Sequence, residues 1–168
     1  MEKLPNIGDA EEKALAEIQR ILKEIRALAT DVDSFSDGLD RLRQIRGAHY
    51  ENMNQIQHEC LLLQALRWLR DRGYTSDRLD WYWNPHQAGD SSEPDLLAKR
   101  DGEVILSAEA TTSEIPQGVI DSRMRDTLAK LNGFQGERFY FVRTKEMAQR
   151  AQTKVARNSW KIRVVQIP

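Results

Sequence analysis

The chain has 168 residues, of which 40% are hydrophobic and 30% charged, a composition typical of one ordinary globular domain with a real core. Its net charge of −1 gives no global attraction to nucleic acid, so any nucleic-acid surface must be a local basic patch. The lone Cys60 excludes an intrachain disulfide and a cysteine-based zinc site. A charged N-terminus and the lack of a long apolar run predict a cytoplasmic protein with no membrane partner.

The N-terminal part of the chain is predicted to be helical. Residues 9–31 have the pattern of an amphipathic helix, for which Asp9 is a suitable N-cap. Its apolar residues recur at alternating spacings of three and four, as in a coiled coil, at Leu15, Ile18, Leu22, Ile25 and Ala29. This stripe fits a homodimer contact and packing on the chain's own domain equally well. With a linker at 31–38 and a short helix at 38–46, it defines an N-terminal helical extension, residues 1–50.

Residues 51–168 are predicted to form the core domain. The first element is a helix over 51–72, because apolar residues recur with the helical period and Gly73 is a good stop signal. The elements after it are strands at 80–84, 94–99 and 103–111, a helix at 118–132, a strand at 137–143, a helix at 144–157 and a strand at 161–167. The order α-β-β-β-α-β-α-β predicts an α/β fold, with a mixed sheet flanked by helices on both faces.

Two acidic residues, Asp95 and Glu109, lie on the paired strands at 94–99 and 103–111. Whether their side chains meet depends on the register of this hairpin. A two-residue turn at Asp101-Gly102 would pair Asp95 with Ala108 and send the two carboxylates to opposite sides of the sheet. A three-residue loop, or a β-bulge, would bring both carboxylates to one face. Both turns suit the sequence.

If the carboxylates meet, they would bind Mg²⁺ or Mn²⁺, with the carbonyl of Ala110 as a third ligand. Such an ion polarises a phosphoryl oxygen and lowers the pKa of a bound water. Glu59 lies on or beside the apolar face of helix 51–72. It is either a boundary residue that reaches solvent or an arginine, or a third acidic residue of this site. His86, in the loop before Asp95, is a further candidate ligand or base, although a loop histidine is often only polar surface.

From residue 51 onward the chain resembles the PD-(D/E)xK, or restriction-endonuclease-like, nuclease superfamily. The residues that carry the resemblance are Pro94-Asp95, the turn at Asp101-Gly102 and Glu109-Ala110-Thr111 after an apolar strand. The predicted element order agrees with the core of that fold. The resemblance therefore implies a restriction-endonuclease-like sheet and a metal-dependent endodeoxyribonuclease.

The same resemblance assigns roles to individual residues. Asp95 and Glu109 would bind the metal, and Glu59 matches a glutamate that many members carry on the first core helix. The family's lysine, which positions the attacking water, is replaced here by Thr111, which carries no charge. A lysine can move to a neighbouring element in this family, and the candidates here are Lys99, Lys130, Arg123 and Arg125.

Two groups of basic residues are candidate phosphate contacts. Arg123 and Arg125 lie on helix 118–132, and Arg150, Lys154 and Arg157 fall on one stripe of helix 144–157. Either group is also compatible with a solvated surface. The sequence thus leaves two functions open: Mg²⁺-dependent hydrolysis of DNA, or a catalytically inactive nuclease fold that binds nucleic acid or protein.

Overall fold

The computed structural model of the chain describes residues 1–75, 77–85 and 92–167. The helices in these residues are α1 (Ile7–Leu28), α2 (Phe35–Arg70), α3 (Val119–Asn132) and α4 (Lys145–Arg157). The strands are β1 (Glu2–Lys3), β2 (Asp80–Trp83), β3 (Leu96–Arg100), β4 (Glu103–Thr111), β5 (Glu137–Val142) and β6 (Arg163–Gln166). Among the described residues, no helix is long and apolar enough to cross a bilayer.

The N-terminal helices differ from the prediction in their bounds. Asn6, and not Asp9, caps α1, because its side-chain oxygen accepts a hydrogen bond from the backbone N–H of Gly8 at 2.8 Å. Asp9 lies in the first turn, where its charge favours the helix N-terminus. The predicted helices at 38–46 and 51–72 form one continuous helix, α2, of 36 residues. Gly47 lies between the two predicted helices, and α2 continues through it, since an isolated glycine costs only about 1 kcal/mol in a helix.

The strands form one mixed sheet in which every strand lies beside its neighbour in sequence. Strands β1 to β4 run antiparallel, whereas β4, β5 and β6 are parallel to one another. The parallel pairs are joined through α3 and α4, as parallel connections require. The predicted α/β class and the predicted element order from residue 51 are confirmed. The two-residue strand β1 was missed because a pair of charged residues carries no strand signal.

Helices cover both faces of the sheet. One face packs against α1 and α2, and its core includes Leu62, Leu66, Leu96, Leu106 and Phe139. The other face packs against α3 and α4, and its core includes Met124, Leu128, Tyr140, Val142 and Met147. Strand β4 is therefore buried on both sides over residues 106–110. Any polar side chain on this stretch must find a partner within the protein.

A β-bulge sets the register of the β3–β4 hairpin. The turn is the two-residue form, with Asp101 at φ 52° and Gly102 at φ 84°, and it pairs Arg100 with Glu103. Next, Lys99 pairs with Val104, but Ala98 pairs with Leu106, so Ile105 is the extra residue of β4. Beyond the bulge the register has moved by one residue, which turns the next side chains of β4 to the opposite face.

Gly136 fits tightly against this bulge. It precedes β5 and has a φ of 76°, in the region that favours glycine. A Cβ atom at this position would collide with the backbone of Ile105 and Leu106. The absence of a side chain at Gly136 thus allows β5 to approach β4 where β4 bulges.

The N-terminal residues contribute to the core and also extend beyond it. Ile7, Ala10 and Ala14 belong to the same apolar cluster as the second half of α2, and β1 pairs with the sheet edge. The expected domain boundary at residue 50 falls inside α2. The rest of α1 and the first half of α2 form an antiparallel helical hairpin, residues 15–55, which we call the arm.

Candidate active site

Asp95 and Glu109 converge at the end of β3 and β4. The register beyond the bulge pairs Leu97 with Ser107 and Leu96 with Ala108, so Asp95 comes opposite Glu109. A carboxylate oxygen of Asp95 accepts a hydrogen bond from the backbone N–H of Ala110 at 2.8 Å. The structure therefore combines the two-residue turn with a bulge, which is one of the arrangements that the sequence left open for a shared face.

The carboxyl group of Glu109 is buried. Its side chain is 6% exposed, on the face that α3 covers. Burial is the main cause that raises its pKa to about 8, and the nearby charge of Asp95 raises it further. Lys130 acts in the opposite direction and lowers the pKa of Glu109. Two carboxyl groups held together in this way favour either a shared proton or a bound cation.

Lys130 brings a positive charge to the pair. Its ammonium nitrogen lies 2.7 Å from Oε1 of Glu109, and its side chain is 36% exposed. Because α3 crosses the sheet directly over β4, this lysine reaches the acidic pair from a different element than the one that carries Thr111. Lys130 was one of the four candidates for a displaced lysine. Of those four, it is the residue whose ion pair with Glu109 the structure shows.

Thr111 occupies the same face of β4 as Glu109, two residues further along. Its hydroxyl accepts a hydrogen bond from the backbone N–H of Ser113 at 3.4 Å. Burial raises the pKa of the neighbouring Tyr140 hydroxyl, the charges of Glu109 and Asp95 add to this effect, and the Thr111 hydroxyl lowers that pKa. Thr111 and Tyr140 therefore form a neutral, hydroxyl-rich wall beside the acidic pair.

Helix α2 delivers His58 to the site. His58 is 1% exposed, and its Nε2 lies 3.7 Å from Oδ1 of Asp95. In the described part of the chain, neither ring nitrogen of His58 has a hydrogen-bond partner. Glu59 is half-buried on the same helix, and its predicted role at the site stays a prediction. The signal for His58 was available in the sequence, since it lies three and four residues before the buried Leu61 and Leu62.

The predicted basic groups have different surroundings. Arg150 and Lys154 both contact the carboxylate of Asp121 in α3, at 2.7 Å and 2.9 Å. Both cations hold the pKa of Asp121 well below its usual range. Arg125 pairs with the adjacent Asp126. Arg123 and Arg157 are exposed on α3 and α4.

Two further expectations concern metal ligands. His86, the candidate ligand from the loop before Asp95, lies outside the described residues. Within the residues that are described, no three His, Cys, Asp or Glu side chains form a ready-made metal cluster. The site consists instead of two adjacent carboxylates, a backbone segment at Ala110, a lysine and a nearby buried histidine.

Comparisons with known proteins add no relative. No family model matches the chain, and neither a curated protein nor a solved structure matches it.

Proposed function

We propose that the chain is a metal-dependent endodeoxyribonuclease with a restriction-endonuclease-like core. The observation that carries this proposal is the convergence of three side chains, Asp95, Glu109 and Lys130. Two carboxylates can hold a divalent ion and an ammonium group can stabilise developing negative charge, which are contributions that metal-assisted phosphodiester hydrolysis uses. The mixed sheet and the element order support the same assignment.

The donor set of the site fits a hard divalent cation, Mg²⁺ or Mn²⁺. Mg²⁺ is commonly held by one or two carboxylates and keeps several of its waters. The pKa of Glu109 is raised chiefly by burial and further by the charge of Asp95, and a cation between the two carboxyl groups would remove the repulsion between them. Asp95 and Glu109 would hold the ion, with the carbonyl of Ala110 as the predicted third ligand. The bound ion would polarise the scissile phosphate and acidify a water.

Residues around the ion would position its ligands and donate hydrogen bonds to the attacking water and the phosphate. The N–H of Ala110 fixes Oδ2 of Asp95, and Oδ1, which lies 3.7 Å from Nε2 of His58, would contact the incoming ion. Lys130 is exposed enough to donate a hydrogen bond to the attacking water or to a phosphate oxygen, which is the task of the lysine that Thr111 replaces. Thr111 and Tyr140 hold hydroxyl groups beside the site, where Thr111 would hydrogen-bond a water. Glu59 remains a proposed additional acid that acts directly or through water.

The DNA strand would approach along the basic residues of α3 and α4. Arg123 and Arg125 follow the site strand, and Arg150, Lys154 and Arg157 line α4. Because the whole chain carries a charge of −1, DNA binding would depend on this local group and would weaken steeply with salt. Asp121, which is already paired with two of these cations, would limit the affinity.

Nicking of supercoiled plasmid DNA tests the proposal. The wild-type chain should nick in Mg²⁺ or Mn²⁺ and not in EDTA. We expect Asp95→Asn and Glu109→Gln each to lower the rate by about 100-fold or more, because each removes a charge from the metal site. Asp101→Asn, in the exposed turn of the same hairpin, is the matched control and should keep the wild-type rate. Equal nicking by all four proteins would rule out this site.

A second function is favoured by one specific contact, the ion pair of Lys130 with Glu109. This pair places a positive charge beside the buried carboxyl group without a metal, as a structural site in a catalytically inactive nuclease fold would. The domain would then bind nucleic acid or protein without cleaving it. Calorimetric titration with Mg²⁺ and Mn²⁺ separates the two functions: measurable binding that Glu109→Gln abolishes supports the nuclease, and absence of binding supports the inactive module.

A further inference from the structure

The arm exposes large apolar side chains along both of its helices. They are Leu15 and Leu22 in α1, and Phe35, Leu39, Leu42 and Tyr50 in α2, with exposures between 38% and 88%. Monomeric soluble proteins rarely expose large contiguous apolar patches, and such a patch commonly marks an interaction site.

The exposed residues lie on one side of the arm. In α1 they follow the buried residues Ala14 and Ile21 by one position, and in α2 Tyr50 follows the buried His49 by one position. One residue corresponds to a rotation of about 100° around a helix. In two antiparallel right-handed helices that pack face to face, the residues one position after the inward-facing ones point to the same side of the helix pair. The two stripes therefore join into a single apolar face, which we call the arm face.

The spacing of the arm face matches the seam of a helical bundle. Phe35, Leu39 and Leu42 follow one another at intervals of four and three residues, and Leu15 and Leu22 are separated by seven. Residues with this periodicity pack between helices that cross at a shallow angle. A second pair of antiparallel helices with the same periodicity would complete a four-helix bundle.

We infer that the arm face binds the arm face of a second copy of this chain. A twofold axis makes such a contact self-complementary, and the charges on the face agree with it. By helical position, Arg26 falls on this side near the tip of the arm, Arg46 falls on it near the middle, and Glu12 falls beside it near the base. In the described part of the chain, none of these three side chains has an ion-pair partner. An antiparallel twofold arrangement places the tip of one arm beside the base of the other, so that arginine meets glutamate.

The available area is adequate for a stable pair. Six large side chains with roughly 100 Å² exposed on each supply on the order of 600 Å², and the adjoining charged stems increase this toward the roughly 800 Å² that each partner of a standard interface buries. The arm is separate from the acidic pair, so this inference does not depend on the proposed nuclease activity.

Sedimentation of the full chain tests the inference. We expect the wild-type protein to sediment as a dimer and Leu22→Glu and Leu42→Glu each to raise its dissociation constant by roughly thirty-fold or more. Ile115→Glu is the matched control, because Ile115 is 60% exposed in the loop between β4 and α3, outside the arm. It should remain dimeric. Both arm positions are exposed, so circular dichroism of the variants should be unchanged.

A charge reversal tests the arrangement of the two copies. Glu12→Arg alone should weaken the dimer, and combining it with Arg26→Glu should restore it. A wild-type protein that is monomeric at micromolar concentration would overturn the inference. So would a dimer that Leu22→Glu and Leu42→Glu leave as tight as the control.

Discussion

Glu109 illustrates how a single buried side chain can link stability to function. Its carboxyl group sits beside Asp95 on a strand that is covered on both faces, with Lys130 as a counter-charge. The same surroundings that make the ionised form costly also create a place where a cation would be stabilised. The ionisation of this one group should therefore be visible in both unfolding and metal-binding experiments.

Unfolding at different pH values tests the environment of Glu109. Its pKa rises from an ordinary value of 4.5 to about 8 in the folded protein, so the folded state holds the proton more tightly than the unfolded chain. The resulting stabilisation is fully present below the ordinary pKa and is lost as the pH rises through about 8. We expect the free energy of unfolding of the metal-free protein to fall across this window. Glu109→Gln should flatten that fall, as urea denaturation at several pH values would measure.

Metal binding should release a proton at neutral pH. Burial raises the pKa of Glu109 toward neutral pH in the metal-free protein, and only the ionised form of its carboxyl group can bind a cation. Calorimetry with Mn²⁺ in two buffers of different ionisation enthalpy should report a net release of protons on binding. A binding enthalpy that does not change with the buffer would contradict this picture of the site.

The position of Lys130 predicts its role in the proposed reaction. Lys130→Met removes the ammonium group beside Glu109 and should lower plasmid nicking by about 100-fold, because no other charge replaces the lysine absent at Thr111. Lys99→Met is the matched control, since the Lys99 side chain lies over the ring of Tyr82 on the neighbouring strand. It should keep nearly full activity. Equal losses in both variants would argue against a specific role for Lys130.

At the scale of the elements, the β3–β4 hairpin decides whether a site exists at all. Its two-residue turn alone would separate the two carboxylates, and the extra residue Ile105 reverses that outcome. Gly136 accepts the bulge because it has no side chain. The extra residue Ile105 and the glycine at position 136, which are distant in sequence, are therefore both needed to bring the two carboxylates to one face.

Gly136→Ala tests this dependence. The substitution combines a strained positive φ with a collision against the Ile105 backbone, and we expect it to lower the free energy of unfolding by about 2–4 kcal/mol. Gly47→Ala is the control, because Gly47 has open space around it in α2 and should stabilise the protein by about 0.5–1 kcal/mol. Urea denaturation measures both changes. Equal stability of Gly136→Ala and the wild type would show that the bulge tolerates a side chain there.

At the scale of the whole molecule, the net charge is only −1, although positively charged side chains cluster locally on α4. The ion pairs of Asp121 with Arg150 and Lys154 join α3 to α4 and neutralise part of the positive charge of α4. DNA binding by the proposed surface should therefore be sensitive to this one carboxylate.

Asp121→Asn tests that sensitivity. Removal of the carboxylate frees two cations, and we expect about a three- to ten-fold higher affinity for duplex DNA at low salt, with a steeper loss of affinity as salt rises. Asp77→Asn, on the surface after α2, changes the net charge equally and is the matched control. Fluorescence anisotropy with a labelled duplex measures both. The same affinity for the two variants would place DNA binding elsewhere.

The sequence by itself determined the α/β class, the element order from residue 51 and the candidate acids Asp95 and Glu109. These follow from hydrophobic periodicity and turn chemistry, which are local properties of the chain. It did not determine the continuity of α2, because the helical patterns before and after Gly47 do not show whether a helix continues through an isolated glycine. Nor could it choose among the candidate cations, and although the helical period placed His58 on the buried face of α2, it did not place His58 beside Asp95.

Only the tertiary structure decided that the two acids meet and that Lys130 joins them. The bulge at Ile105 depends on the close approach of Gly136 from another strand, and Lys130 depends on the path of α3 across β4. The arm face likewise exists only because α1 packs against α2 and brings the exposed residues of both helices to one side. Each outcome arises from contacts between residues far apart in sequence, whose geometry no local pattern specifies.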